Sequence, residues 1–165
     1  MKKKLPALVA TALIAAQGII CAQNPTIAYY SEDFQNGKPQ NITYIDGDGF
    51  TITDDLKGTG LECGTWHIVR NSYTDENFFM ASTSSFTTPG KANDWMITPV
   101  IKIYGKGSKL SWKSMSLSKV KKDGLKVYVS TTGNSIKDFE ASPLFSIESE
   151  EAGNWQTHEV SLDQY

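Results

Sequence analysis

Beyond residue 22, no stretch of twelve or more residues carries apolar side chains at helical spacing, and this constrains the fold more than any motif does. The chain instead offers about ten short runs rich in β-branched and aromatic residues, most of them followed by a turn signal of Gly, Asn, Asp or Pro. Ile27–Phe34, Ile42–Ile45, Phe50–Thr53, Trp66–Arg70 and Phe78–Ser82 make the first half of the series. Trp95–Ile103, Lys109–Trp112, Leu125–Ser130, Leu144–Glu148 and Trp155–Leu162 make the second. Short strands separated by turn signals predict an all-β sandwich.

Three details refine that prediction. Leu125, Val127 and Val129 alternate with Lys126, Tyr128 and Ser130, which is a strand with one covered and one wet face. Leu110 and Trp112 share a phase that Met115 and Leu117 break, so a bulge or bend is expected near Lys113-Ser114. Pro99 interrupts Trp95–Ile103 and places that run at a sheet edge or bulge. Ser135 to Phe139 reads as a short turn or helical segment, and Val160 and Leu162 as inward residues of the last strand.

The chain opens on Met1-Lys2-Lys3-Lys4 and an apolar run from Leu5 to Ile20, too short for a span of roughly twenty residues. This is the pattern of a secretory signal peptide, residues 1–22, cleaved after Ala22. Cys21 leaves a lipoprotein open, although a large Ile20 precedes it. Residues 23–165 then form one domain, of a size usual for a single core. Removing the leader takes away three lysines and no acid, which leaves 13 basic against 18 acidic residues, a net charge of −5. An acidic, soluble surface argues against nucleic acid as a partner. Cys63 is then the only cysteine, so no intrachain disulfide forms, and burial is its simplest role.

Little in the sequence resembles catalytic machinery. His67 and His158 lie within strand runs, and Cys63 and His67 stand about 13 Å apart in an extended chain. No nucleophile elbow, zinc-ligand spacing or phosphate loop is present, and Gly105-Lys106-Gly107-Ser108-Lys109 lacks P-loop spacing. Lys119, Lys121 and Lys122 read as a solvated hairpin tip. Glu32, Asp33, Asp46 and Asp48 bring carboxylates to two loop ends, the donor type a calcium ion takes. Glu32 leads the set, because its neighbour Asp33 would face the other side of a strand. Phe50 and Lys57 at the fifth and twelfth positions exclude an EF-hand, and Asp46-Gly47-Asp48-Gly49 is also a good plain acidic turn. Trp66, Trp95 and Trp112 fit core packing. Tyr73, Phe78 and Trp155, beside loops, are the candidates for stacking on a ligand such as a sugar ring.

The ordered set Ser31-Glu32-Asp33-Phe34, Asp46-Gly47-Asp48-Gly49, Trp66, Asp94-Trp95-Met96-Ile97-Thr98-Pro99, Leu110-Ser111-Trp112, Val127 to Asn134, Asp138-Phe139 and Trp155 to Leu162 closely resembles the cleaved-adhesin, or choice-of-anchor J, domains of secreted Bacteroidetes proteins. Gingipain haemagglutinin/adhesin regions belong to the same group. The resemblance covers Tyr29 to Tyr165. It implies a jelly-roll β-sandwich, galactose-binding-like or MAM-like, with structural calcium, for which Glu32, Asp46 and Asp48 are the metal candidates. It also implies a non-catalytic, secreted or cell-surface adhesion module that recognises host protein or glycan. The alternative is a structural accessory domain of a larger secreted protease or glycoside hydrolase. Two departures stand out. Asp123-Gly124-Leu125 replaces a more acidic segment of many relatives, and the family usually runs on into further strands past the point where this sequence stops, at Tyr165. The expectation is therefore a sandwich incomplete at its C-terminal strands, with a sheet edge left unpaired.

Overall fold

The computed structural model describes residues 29–62, 64–70, 77–139 and 142–165. The expected leader, residues 1–22 with Cys21, lies outside the described residues, as do Cys63 and Tyr73. Within them the fold is all-β: eight strands and two 3-10 turns, Asp54–Leu56 and Ile136–Phe139. The strands pair as two nested antiparallel units. In the first, β1 (Thr43–Asp46) pairs with β4 (Asp94–Ile97) and encloses the pair β2 (His67–Arg70) and β3 (Phe78–Ala81). In the second, β5 (Lys109–Ser114) pairs with β8 (Gln156–Ser161) around β6 (Leu125–Val127) and β7 (Phe145–Ile147).

The first unit is extended by a bridge between Ile52 and Phe86, flanked by bonds from Thr53 N–H to the Ser85 carbonyl and from Thr87 N–H to the Thr51 carbonyl, 3.0 and 2.8 Å. Its core centres on Ile42, Met80, Ala81 and Ile97, the most buried apolar residues described. In the second unit β5 and β8 alternate half-buried and exposed along their lengths. The register sets Trp112 opposite His158, their rings stacked at 5.3 Å and 30°, with Phe145 edge-on to the indole at 5.0 Å. Aromatic contacts join the two units. Trp95 of β4 meets Tyr128 and Phe139 at 5.4 and 5.8 Å, and Phe79 of β3 meets Trp155 at 5.7 Å. Trp66, Trp95 and Trp112 are thus half-buried packing residues, as their strand context predicts.

Several expectations are corrected. The stretch from Tyr29 to Phe34 is not a strand, because its acidic side chains capture the backbone locally. Glu32 Oε1 accepts the Phe34 N–H at 2.7 Å and Asp33 Oδ1 the Gln35 N–H at 3.0 Å, while Phe34 takes a positive φ of 63°. No bulge interrupts β5: its ladder is regular through Ser114↔Gln156. The phase changes just beyond, where Ser116 turns inward and bridges Ala152, leaving Leu117 exposed. β4 stops at Ile97, two residues before Pro99, and β6 stops at Val127 rather than running to Ser130.

Candidate functional site

The β1–β4 register places Asp46 directly opposite Asp94. Like charges facing each other across a ladder are destabilising unless something neutralises them. Asp48 joins the pair, and one carboxylate oxygen from each of the three lies within 4.8 Å of the others. The loop is held in this shape by its own side chains. Asp46 Oδ1 accepts the N–H of Asp48 and of Gly49, at 3.1 and 2.7 Å, and Asp48 Oδ1 accepts the Phe50 N–H at 2.9 Å.

Asn93 clamps the loop to β4. Its N–H donates to Asp48 Oδ2 at 2.6 Å and its side-chain amide to the Gly47 carbonyl at 3.2 Å. Gly47 N–H returns a bond to the Asn93 carbonyl at 3.1 Å. The Asn93 Oδ1 in turn accepts Trp95 Nε1–H at 2.8 Å, and Trp66 Nε1–H donates to the Asp94 carbonyl at 3.1 Å. Gly47 has little room for a side chain, since a Cβ there would come within 2.6 Å of Asn93.

Asp94 is the least satisfied member. Its Oδ2 accepts the Ser82 hydroxyl, but Oδ1 is buried without a hydrogen-bond partner. Burial pushes its carboxyl above the ordinary value, with Asp48 and Asp46 adding to the rise against the bond from Ser82. Among the described residues the group has no nitrogen or sulfur donor, and a buried, orphaned oxygen beside two more carboxylates fits a hard cation such as calcium.

Of the residues expected as metal ligands, Asp46 and Asp48 come together, while Glu32 is not a member of this group and is engaged with the Phe34 N–H. Asp94 and Asn93 were missed as site residues. The signal was an Asn-Asp pair opening a strand, visible in the sequence but informative only once the register is known.

Of the candidates for ligand stacking, Trp155 is 44% exposed and braced edge-on by Phe79 at 5.7 Å. Phe78 is half-buried opposite Arg70. Its N–H and carbonyl are both taken by the Gln35 side-chain amide, at 3.1 and 2.9 Å, which closes the start of β3.

A polar network in the second unit was not foreseen. Glu150, 3% exposed, accepts the Ser114 hydroxyl at 2.6 Å and bonds His158 Nε2 at 2.7 Å through the same Oε2. Its Oε1 accepts the Glu151 N–H at 2.9 Å. Burial pushes the Glu150 carboxyl up, but these bonds outweigh it and the net pKa lies below the ordinary value. Serine and histidine both bind the carboxylate rather than each other, which is the wiring of a structural clamp and not of an activated nucleophile.

The sequence pattern of the Cleaved Adhesin Domain family matches residues 26–160. No curated protein matches the chain. Among solved structures, the K3 cleaved adhesin domain of Lys-gingipain from Porphyromonas gingivalis w83 is similar, with 27% identity and a TM-score of 0.57 over 79% of this chain and 78% of that one. The nested antiparallel pairs are thus the all-β fold of an adhesin-type module, and the chain belongs to the cleaved adhesin domain family.

Proposed function

We propose that this domain is a non-catalytic adhesion module of a secreted or cell-surface protein, reached after removal of the leader ending near Ala22. It recognises a host extracellular protein or a glycan. Membership of the cleaved adhesin family carries this reading, and the exposed Trp155 beside Phe79 supplies an aromatic face of the kind that stacks on sugars or anchors protein contacts. Calcium held by Asp46, Asp48 and Asp94 would neutralise the facing carboxylates and fix the end of the β1–β4 ladder, a structural role. Similarity to a domain of Lys-gingipain supports a second reading, a structural accessory domain of a larger secreted protease or glycoside hydrolase.

An array of glycans and extracellular-matrix proteins, probed with the purified chain in calcium and in EDTA, separates the two. Saturable binding to one ligand class, weakened by Trp155→Ala, is the expected result. A folded protein that binds nothing in either condition would sink the adhesion reading and leave the accessory one.

A further inference from the structure

The loop between β5 and β6 holds two aliphatic side chains in water among lysines. Val120 is 92% exposed, the highest value of any large apolar residue described, and Leu117 is 53% exposed. Lys119 and Lys121 flank Val120, are exposed and pair with no carboxylate among the described residues. A single exposed apolar residue is ordinary, but this pair sits on a loop pinned at its base. Ser118 Oγ accepts the N–H of Val120 and of Lys121, at 3.3 and 2.9 Å. The Ser116 hydroxyl donates to the Ser118 carbonyl at 3.1 Å and accepts the Asp123 N–H at 3.3 Å. Lys122 ties the loop to Glu151 at 3.0 Å. Local bonds therefore hold Val120 outward instead of letting it fold onto the sheet.

Charge sets this loop apart from the rest of the domain. Residues 113–126 hold five lysines and one acid, Asp123, while residues 23–165 together are net −5, so the remainder is net −9. Exposed charges act over roughly 8 Å at physiological salt, which makes the tip locally cationic on an acidic body. A soluble polyanion such as a sulfated glycan would engage the lysines and leave both aliphatic side chains wet. An acidic protein would need a pocket shaped to a projecting tip. An anionic phospholipid bilayer offers both chemistries in the right order, phosphates at the surface for the lysines and acyl chains just beneath for Val120 and Leu117. The tip also stands away from the last residues of the chain. It adjoins the Ser114↔Gln156 end of the β5–β8 ladder, whereas Leu162 bonds the Ser108 carbonyl at the other end, roughly 17 Å off along the strand.

We infer that the 117–122 loop docks on the surface of an anionic phospholipid bilayer, with Val120 and Leu117 entering the acyl boundary and Lys119 and Lys121 meeting lipid phosphates. The loop shares no residue with the Asp46–Asp48–Asp94 cluster or with Trp155, so this goes beyond the adhesion reading, and its failure would leave that reading standing.

The test is flotation of residues 23–165, which hold every described strand, with vesicles of phosphatidylcholine alone or with about 30% phosphatidylglycerol. Binding to the anionic vesicles alone is expected, half complete at roughly 1 mM lipid. Replacing both lysines, Lys119→Ala with Lys121→Ala, should weaken it about 30-fold, and Val120→Ser at least about fivefold. Lys106→Ala, near the other end of the ladder, should leave it unchanged. All four positions are exposed, so these variants keep the parent's thermal midpoint. Three results would overturn the inference. One is no binding to anionic vesicles up to about 5 mM lipid. Another is equal binding to phosphatidylcholine alone. The last is binding left intact by the double lysine variant or by Val120→Ser; if heparin also displaces the chain, the partner is a soluble polyanion and not a bilayer.

Discussion

Asp46 and Asp94 face each other at the open end of one ladder, and without a cation that pairing works against the fold. Asp94→Asn is therefore expected to raise stability by about 0.5 kcal/mol in EDTA, read from urea unfolding midpoints. A loss exceeding about 1 kcal/mol would show instead that the ionised Asp94 stabilises the metal-free chain. Glu150 behaves oppositely. Its folded carboxyl ionises more readily than the unfolded one, so its contribution is complete above the ordinary carboxylate range and fades as pH falls through the lower folded value. Glu150→Gln is expected to cost about 1–3 kcal/mol at neutral pH and to flatten the acid limb of the stability profile. An unchanged acid limb would place the pH sensitivity elsewhere. Neither role was legible from residue identity alone. Asp94 was visible only as part of a strand motif, and Glu150 lies between the Leu144–Glu148 and Trp155–Leu162 runs, because burial and cross-strand register are tertiary properties.

At the scale of elements, strand existence was legible where β-branched and aromatic residues alternate between turn signals, as in β2, β3, β5 and β8. Boundaries were less so. Tyr29 to Phe34 has strand composition, yet Glu32 and Asp33 bond their own backbone and win over the ladder. The inner pair β6–β7 depends on a close approach at its mouth. A Cβ on Gly124 would collide with the Ile147 carbonyl oxygen and come within 2.9 Å of the Glu148 backbone. Gly124→Ala should therefore cost about 1–3 kcal/mol by forcing the two strands apart, detected as a lowered thermal midpoint with weakened amide protection at Leu125 and Val127. A midpoint equal to that of the parent chain would mean the strands shift at no cost. The same reasoning explains why the break in β5 falls after Ser114: Ser116 is drawn inward by its bond with the Glu151 carbonyl, 2.8 Å, which periodicity could not foresee.

Across the whole molecule, the contacts that join the two nested antiparallel units include, among the described residues, Trp95 with Tyr128 and Phe139, Phe79 with Trp155, and the Ser84 hydroxyl with the Asp123 carboxylate. The all-β class was legible because no helical period competes with it. The nesting was not, since β1–β4 and β5–β8 pair residues some fifty positions apart, and strand patterns carry no record of their partners. Long-range closure of this kind costs loop entropy, and a cation at the end of β1–β4 would help offset it. The most direct test of that account is thermal unfolding of the chain with and without calcium. An extracellular-type site with Kd of about 0.1–1 mM, saturated at about 10 mM calcium, contributes roughly 1.4–2.7 kcal/mol, a rise of roughly 4–8 °C for a domain of this size. The account predicts that rise in the parent chain and its loss in Asp94→Asn. An unfolding midpoint in the parent chain that does not respond to calcium, or a rise equal in both proteins, would contradict it.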